Sequence, residues 1–570
     1  MSIKYKNSDI LSVPNVSSLF TLKNLNDNQL VQTQGYSAEG VGANLYRYDV
    51  GSSATIDGGF VLPGPGGTLS FSGTTFNGDV GDGGRFIAVN QNVIDVTQFG
   101  ALGNGSNDDT QALKLAITLG ASTGTEVIIP GGVYITNSLG SSPYASISIR
   151  GIGNPTLKSK ASATGEILFI DANSSIYGVT FDANNEVGVT YLLECGSASP
   201  ASSDIAYISE CVFKNMSSDT FATALLVTNT RTVFIEKCKF TSIKALANSV
   251  VGDSNGSVRA IYFSYDIYQG TVSKCVFDGV NNRTAGGLFA YEDADGIHLN
   301  PGGGTLQNVS IENCKFRDIG KRAIKMQSKL GCRLSVSTVD IESTYTGTSD
   351  NAGDSGNAMY AAISLLGGGL IATDIAVHGG ACGYFVDVAT TAVDKFELSN
   401  IDFAPEYHRY ANTTECYGIY VNSTATALEK VYIENSRFIH CHNAMLFQPA
   451  IDAVIVGNII DCQSNGIAFS APLSVVVNAN IISFENAATI SGTPYGIYFG
   501  NGITAVSACS NIVNSLGDGI YLVSQSSSFN MVATGNAFNG LTRNILSNFG
   551  SETAPDLIFT NNVPNSTVIE

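Results

Sequence analysis

One phrase recurs down this chain and limits what it can fold into. ISECVF around Cys211, IEKCKF around Cys238, VSKCVF around Cys275 and IENCKF around Cys314 share a pattern, and IENSRF around Ser436 continues it. Asn458, Asn480, Asn511 and Asn536 take the same place in GNII, ANII, SNIV and GNAF, while Val179, Val339, Ile375, Ile401 and Asn561 complete the column. The shortest step along the column is 22 residues, and longer steps read as loops added to that unit. Fourteen such units predict a solenoid, in which each rung buries its inward face only by stacking on its neighbours.

Within the units, apolar residues alternate over short runs, as in Ile261/Phe263, Ile297/Leu299, Ile324/Met326 and Ile497/Phe499, which is the period of half-buried strands. Gly is frequent, Trp is absent and only 14% of residues are charged, a composition of strands and tight turns. The chain therefore reads as all-β. Stacked strands lie about 4.8 Å apart, so a Cys repeated on successive rungs predicts an interior packing ladder rather than disulfides, and the Asn column predicts an amide ladder in a turn. A solenoid needs its end covered, and SNDDTQALKLAITLGA predicts a capping helix near 107–120, with Asn107, Asp108 and Asp109 at its start, Asp109 as cap, and Leu113, Ala116 and Ile117 facing inward.

The formal net charge of −19 opposes nucleic-acid binding. No run reaches the length of a membrane span and MSIKYKNSDI lacks a signal-peptide core, so the expectation is a soluble protein made in the cytoplasm, with no membrane partner. Eleven cysteines without a CxxC pair suggest no zinc cluster, and no cofactor or metal is called for. SDNAGDSGN, with Asp350 and Asp354, is read as plain turns in preference to a calcium loop.

VIDVTQFGALGNGSNDDTQALKLAI (Val93 to Ile117) followed by EVIIPGGVYIT (Glu126 to Thr136) resembles the opening of pectate-lyase-like β-helices in phage tailspikes and capsule depolymerases. VQTQGYSAEGVGANLYRY (Val31 to Tyr48) and GDGGRF (Gly81 to Phe86) look like the small module preceding that helix in phage proteins. The resemblance implies a right-handed parallel β-helix over 93–563, an N-terminal module over 1–92 and a short tail over 564–570. It also implies a homotrimer on a virion tail, joined to a tail or baseplate protein through the N-terminus and acting on a bacterial surface polysaccharide at the cell surface.

The charged stretch YEDADGIHLN (291–300) is followed one rung later by GKRAIKMQ (320–327). Aligning Ile261, Ile297, Ile324 and Ile363 stacks Tyr262, His298, Lys325 and Ser364 on the outward face, with Arg259, Asp295 and Arg322 as a second column at the strand entrance. Glu292, Asp293 and Asp295 then lie beside Lys321, Arg322, Lys325 and His298. Glycoside hydrolysis needs two carboxyl groups, and residues two apart on a strand project to one side about 6.5 to 7 Å apart. Asp293 and Asp295 are the preferred pair, Glu292 the substitute, with His298, Lys325, Arg322, Lys321, Tyr262 and Arg259 as substrate-binding residues. DGIH and RAIK resemble elements of polygalacturonase-type β-helix hydrolases, with Ala323 inserted and no Gly-His-Gly element. Three readings stay open: an endoglycosidase, a lyase using Lys325, His298 or Tyr262 as base on a uronic-acid glycan, and a non-catalytic receptor-binding spike. Tyr262, Tyr420, Tyr498 and Tyr521 are expected outward, to stack on sugar rings or to contact another subunit.

Overall fold

The computed structural model describes residues 10–37, 39–140, 142–198, 201, 203–246, 256–281, 293–302, 304, 306–327, 332–342, 361–378, 384–388, 393–404, 417–422, 428, 430–484, 494–501, 504–514, 518–523, 530–539, 543–547, 556–560 and 568–569. The chain packs as two compact units, Met1–Lys239 and Phe240–Glu570. Asn561 and the 349–357 stretch with Asp350 and Asp354 lie outside the described residues.

In the first unit a five-stranded sheet built from Ile10–Val13, Leu30–Thr33, Leu45–Asp49, Arg85–Ala88 and Val61–Pro63 precedes the rungs. Parallel β-helix begins with Ile94–Asp95, which pairs with Val127–Pro130. Ile149, Ile176, Ile208 and Ile235 then stand in one parallel register, as do Leu157, Phe181 and Phe213. The helix Thr110–Thr123 buries Leu113, Ala116 and Ile117 completely, as expected of a cap. The capping bond is a correction: Asp109 holds the cap position, but its carboxylate accepts the Leu102 and Gly103 amides and so pins the glycine turn. Asp108 supplies the bond to the Thr110 amide, at 3.1 Å.

The second unit is also parallel β-helix. Ile261, Ile297, Ile324, Ile363, Val386, Ile419, Met445, Ile467, Ile497, Ile520 and Ile545 are successive register partners. Phe277 stacks on Phe316 at 4.5 Å and Phe469 on Phe499 at 5.7 Å, so aromatic rings fill the interior rung by rung.

The recurring phrase is a turn. The residue before each described member of the column has positive φ, from Glu210, Lys237 and Lys274 through Asn435, Gly457 and Ala479 to Gly535. That left-handed step turns the next side chain inward. All nine described cysteines are free. Cys211, Cys238, Cys275 and Cys314 are buried, and each Sγ lies 3.3 or 3.4 Å from the carbonyl two residues back. Ser436 makes the same bond at 2.8 Å. Asparagine then takes over: the Asn458 amide N–H and Nδ2 both donate to Asn480 Oδ1, those of Asn480 to Asn511 Oδ1, and those of Asn511 to Asn536 Oδ1, at 2.9 to 3.1 Å. A buried amide costs little when every donor is met, which explains polar residues at 0 to 1% exposure.

Candidate active site

The charged cluster forms where strand alternation breaks. Gly296 faces the interior, since a Cβ there would lie 2.8 Å from the Phe316 ring and 2.7 Å from the Ala323 carbonyl oxygen. Ile297 is also buried. With two consecutive residues inward, residues 295 and 298 both fall on the outward side, three apart. The same small-then-aliphatic pair recurs as Ala260-Ile261 and Ala323-Ile324. Each rung thereby presents two outward positions: Arg259 and Tyr262, Asp295 and His298, Arg322 and Lys325.

Their stacking is as expected. Arg259 pairs with Asp295 and Asp295 with Arg322, while Tyr262 pairs with His298, His298 with Lys325 and Lys325 with Ser364. Solvent access is a correction. Instead of an open polar face, Asp295 is 0% exposed, His298 and Arg322 1%, and Lys325 8%. Lys321 is buried too, its amide bonded to the Ala294 carbonyl. Tyr262 and Arg259 remain half-buried. A buried ion must be paired to persist, and these columns are packed so closely that they pair with one another.

Arg322 Nε donates to Asp295 Oδ1 at 2.7 Å. Arg259 Nε donates to His298 Nδ1 at 2.8 Å, and its guanidinium sits 4.5 Å from the Tyr262 ring centre. His298 Nε2 lies 2.8 Å from Gln327 Oε1. Asp295 Oδ2 is 3.3 Å from His298 Nδ1 and 4.0 Å from Lys325 Nζ, and among the described residues it has no hydrogen-bond donor. One carboxylate oxygen is thus tied down and the other is left able to accept. Gln327, which follows the inward Met326, is not among the residues that the sequence singles out.

Asp293 opens the strand Asp293–Asn300 and pairs in register with Ser257, but its side chain, like all of Glu292, lies outside the described residues. Further along the same surface, Tyr420, Tyr498 and Tyr521 are half-buried. Tyr498 contacts the Tyr521 ring at 5.6 Å, and burial followed by the neighbouring Tyr521 raises its hydroxyl above the ordinary tyrosine range. Among the described residues no cluster of three His, Cys, Asp or Glu is placed to hold a metal ion, and no helix is long and apolar enough to cross a membrane.

Residues 93–349 match the family model described as rhamnogalacturonase A/epimerase, pectate lyase-like. No curated protein matches the chain. Among solved structures it is similar to Pantoea stewartii WceF, a glycan biofilm modifying enzyme with a bacteriophage tailspike-like parallel beta-helix fold, at 14% identity over 70% of this chain and 50% of that one, TM-score 0.38. It is similar to the gp42 tailspike of Acinetobacter phage vb_AbaP_AS12, at 11% identity over 99% and 78%, TM-score 0.39. It is also similar to the tailspike gp49 of Acinetobacter baumannii bacteriophage Fri1, a capsular polysaccharide depolymerase, at 13% identity over 98% and 76%, TM-score 0.30. The chain spans about half the length of WceF. The protein is a parallel β-helix whose residues 93–349 are similar to the pectate-lyase-like rhamnogalacturonase A/epimerase family.

Proposed function

We propose that the protein binds a bacterial surface polysaccharide and depolymerises it by endoglycosidic hydrolysis, with Asp295 as one of the two carboxyl groups. The observation that carries this reading is the asymmetric setting of Asp295: Arg322 fixes Oδ1 at 2.7 Å, and Oδ2 has no donor among the described residues. A carboxylate so oriented has one oxygen with which to exchange a proton. Asp293, two residues earlier on the strand, is the proposed partner, with Glu292 as its substitute. One carboxylic acid protonates the glycosidic oxygen as its bond to the anomeric carbon breaks; the other activates water or attacks that carbon.

Tyr262 and Arg259, half-buried on the neighbouring rung, are proposed to touch the sugar. Arg322 is proposed to position Asp295, Lys325 and Lys321 to set the charge around it, and His298 to hold Arg259 beside it. Asp295 is enclosed, so the sugar reaches it only when the surrounding side chains part. A lyase is the second reading, favoured by Arg322 and Lys325 standing beside the same carboxylate, cations that would neutralise a uronate. A homotrimer, attached to a virion tail through residues 1–92, is part of the proposal, and sedimentation of the intact protein tests the trimer.

The test of the reaction is mass spectrometry of capsular and lipopolysaccharide glycans from a panel of Gram-negative hosts after incubation with the protein. Products of repeat-unit mass plus water support hydrolysis. Products of repeat-unit mass with an unsaturated end establish a lyase, and glycan that binds yet stays intact leaves a receptor-binding spike.

A further inference from the structure

Beyond the charged rungs, the two outward positions continue in register down the second unit. Tyr417 pairs with Asn443 and Tyr420 with Leu446; Leu446 pairs with Ala468; Asn465 pairs with Tyr495 and Ala468 with Tyr498. The Tyr417 and Tyr420 rings contact each other at 5.1 Å, and those of Tyr495 and Tyr498 at 5.6 Å. All four are half-buried. Between these two pairs stand two rungs with shorter outward residues, where the half-buried Asn465 donates from Nδ2 to Oδ1 of the buried Asn443 at 2.8 Å and the methyl group of Ala468 is buried. The tyrosine pairs are three rungs apart, about 14 Å at the usual strand spacing.

We propose that this stretch is a second, non-catalytic site that holds sugar rings of the same polysaccharide, with the tyrosine pairs as its walls and the amides as its floor. The proposal rests on the reading that the ligand is a polysaccharide, but not on its being cut.

A sugar ring has an apolar C–H face and a polar rim. The C–H face is electropositive enough to favour the negative face of an aromatic ring, and the hydroxyl rim needs donors and acceptors together, which a side-chain amide provides. The stretch offers both within one span. A nucleic acid would also stack on tyrosine, but the chain's net charge of −19 opposes its backbone. Continuity argues for a linear glycan in particular. Tyr417 stands in the same outward column as Asp295, four rungs away or about 19 Å, through Arg322, Ala361 and Tyr384. One extended polymer lying along the rungs would meet both places.

The test is affinity electrophoresis of the full chain in gels containing the capsular or lipopolysaccharide glycans of the same host panel, with each variant's sedimentation measured in parallel. Tyr420→Ala and Tyr498→Ala are expected to weaken retention about tenfold or more, while Tyr420→Phe and Tyr498→Phe keep most of it. Because the chain has no Trp, tyrosine emission gives a second readout: glycan should perturb it in wild type and less in the alanine variants. Alanine variants retained like wild type overturn the proposal, even if Asp295→Asn stops cleavage. So does lost retention that accompanies a change in sedimentation, which would make this face a contact between copies. Wild type that is retained through these tyrosines yet releases no product supports the site and overturns the hydrolytic reading.

Discussion

Arg259 Nε donates to His298 Nδ1 at 2.8 Å, and this one bond fixes the state of the imidazole. A guanidinium nitrogen can only donate, so Nδ1 must accept and cannot carry a proton toward Asp295. The ring proton then sits on Nε2 and points at Gln327 Oε1, 2.8 Å away. Asp295 Oδ2, although 3.3 Å from Nδ1, receives nothing from it.

Replacing Gln327 by Leu removes the partner of that buried N–H and should cost about 1 to 3 kcal/mol. Gln327→Glu keeps an acceptor and should cost less. Chemical-denaturation midpoints of the two variants check the order, and Leu milder than Glu would contradict the assigned tautomer.

Arg322→Ala should destabilise by about 3 to 5 kcal/mol, because it leaves the Asp295 carboxylate, 0% exposed, without its 2.7 Å partner. Arg322→Ala combined with Asp295→Asn should recover much of the loss. If the double variant is as weak as the sum of the singles, the pair is not coupled as the geometry requires.

Gly296→Ala should lower the thermal midpoint, by an amount equivalent to about 1 to 3 kcal/mol, since the added methyl meets Phe316 and the Ala323 backbone inside 3 Å. Ala260→Gly at the equivalent position of the preceding rung adds no such clash and is expected to have the smaller effect.

Ala479 has φ 56° in the turn where Gly457 serves the preceding rung and Gly535 the rung two further on. Ala479→Gly should therefore stabilise, by roughly 0.5 to 1 kcal/mol, the relief of left-handed strain exceeding the added freedom of the unfolded chain. Asn480→Ala should do the opposite. It strips the acceptor from both the Asn458 amide and Nδ2, at a cost of about 2 to 4 kcal/mol, and calorimetry of the two variants should show shifts of opposite sign.

The column of Cys, Ser and Asn could be read directly because the turn's geometry admits few side chains and every rung repeats it. The register of Arg259, Asp295 and Arg322 followed from the same periodicity. The pair of inward residues that brings Asp295 and His298 to one side was not read, although its signal is present: Ala260, Gly296 and Ala323 each precede the inward Ile, yet each looks like filler when taken alone. Asp108 and Asp109 are chemically alike and adjacent, so only the path of the Gly103 turn decides which one caps the helix. Burial of the cluster was out of reach for a different reason. Strand parity says which side a residue leaves from, and not what packs over it.

Asp295 is proposed to take part in cutting the glycan. The direct measurement is the rate of product release from a susceptible polysaccharide by wild type and by Asp295→Asn, with thermal midpoints taken to confirm that both are folded. A loss of about 10² to 10⁴-fold in rate with glycan retention preserved is expected. A folded Asp295→Asn variant that releases product at the wild-type rate would contradict it and reduce the cluster to a buried ion-pair network.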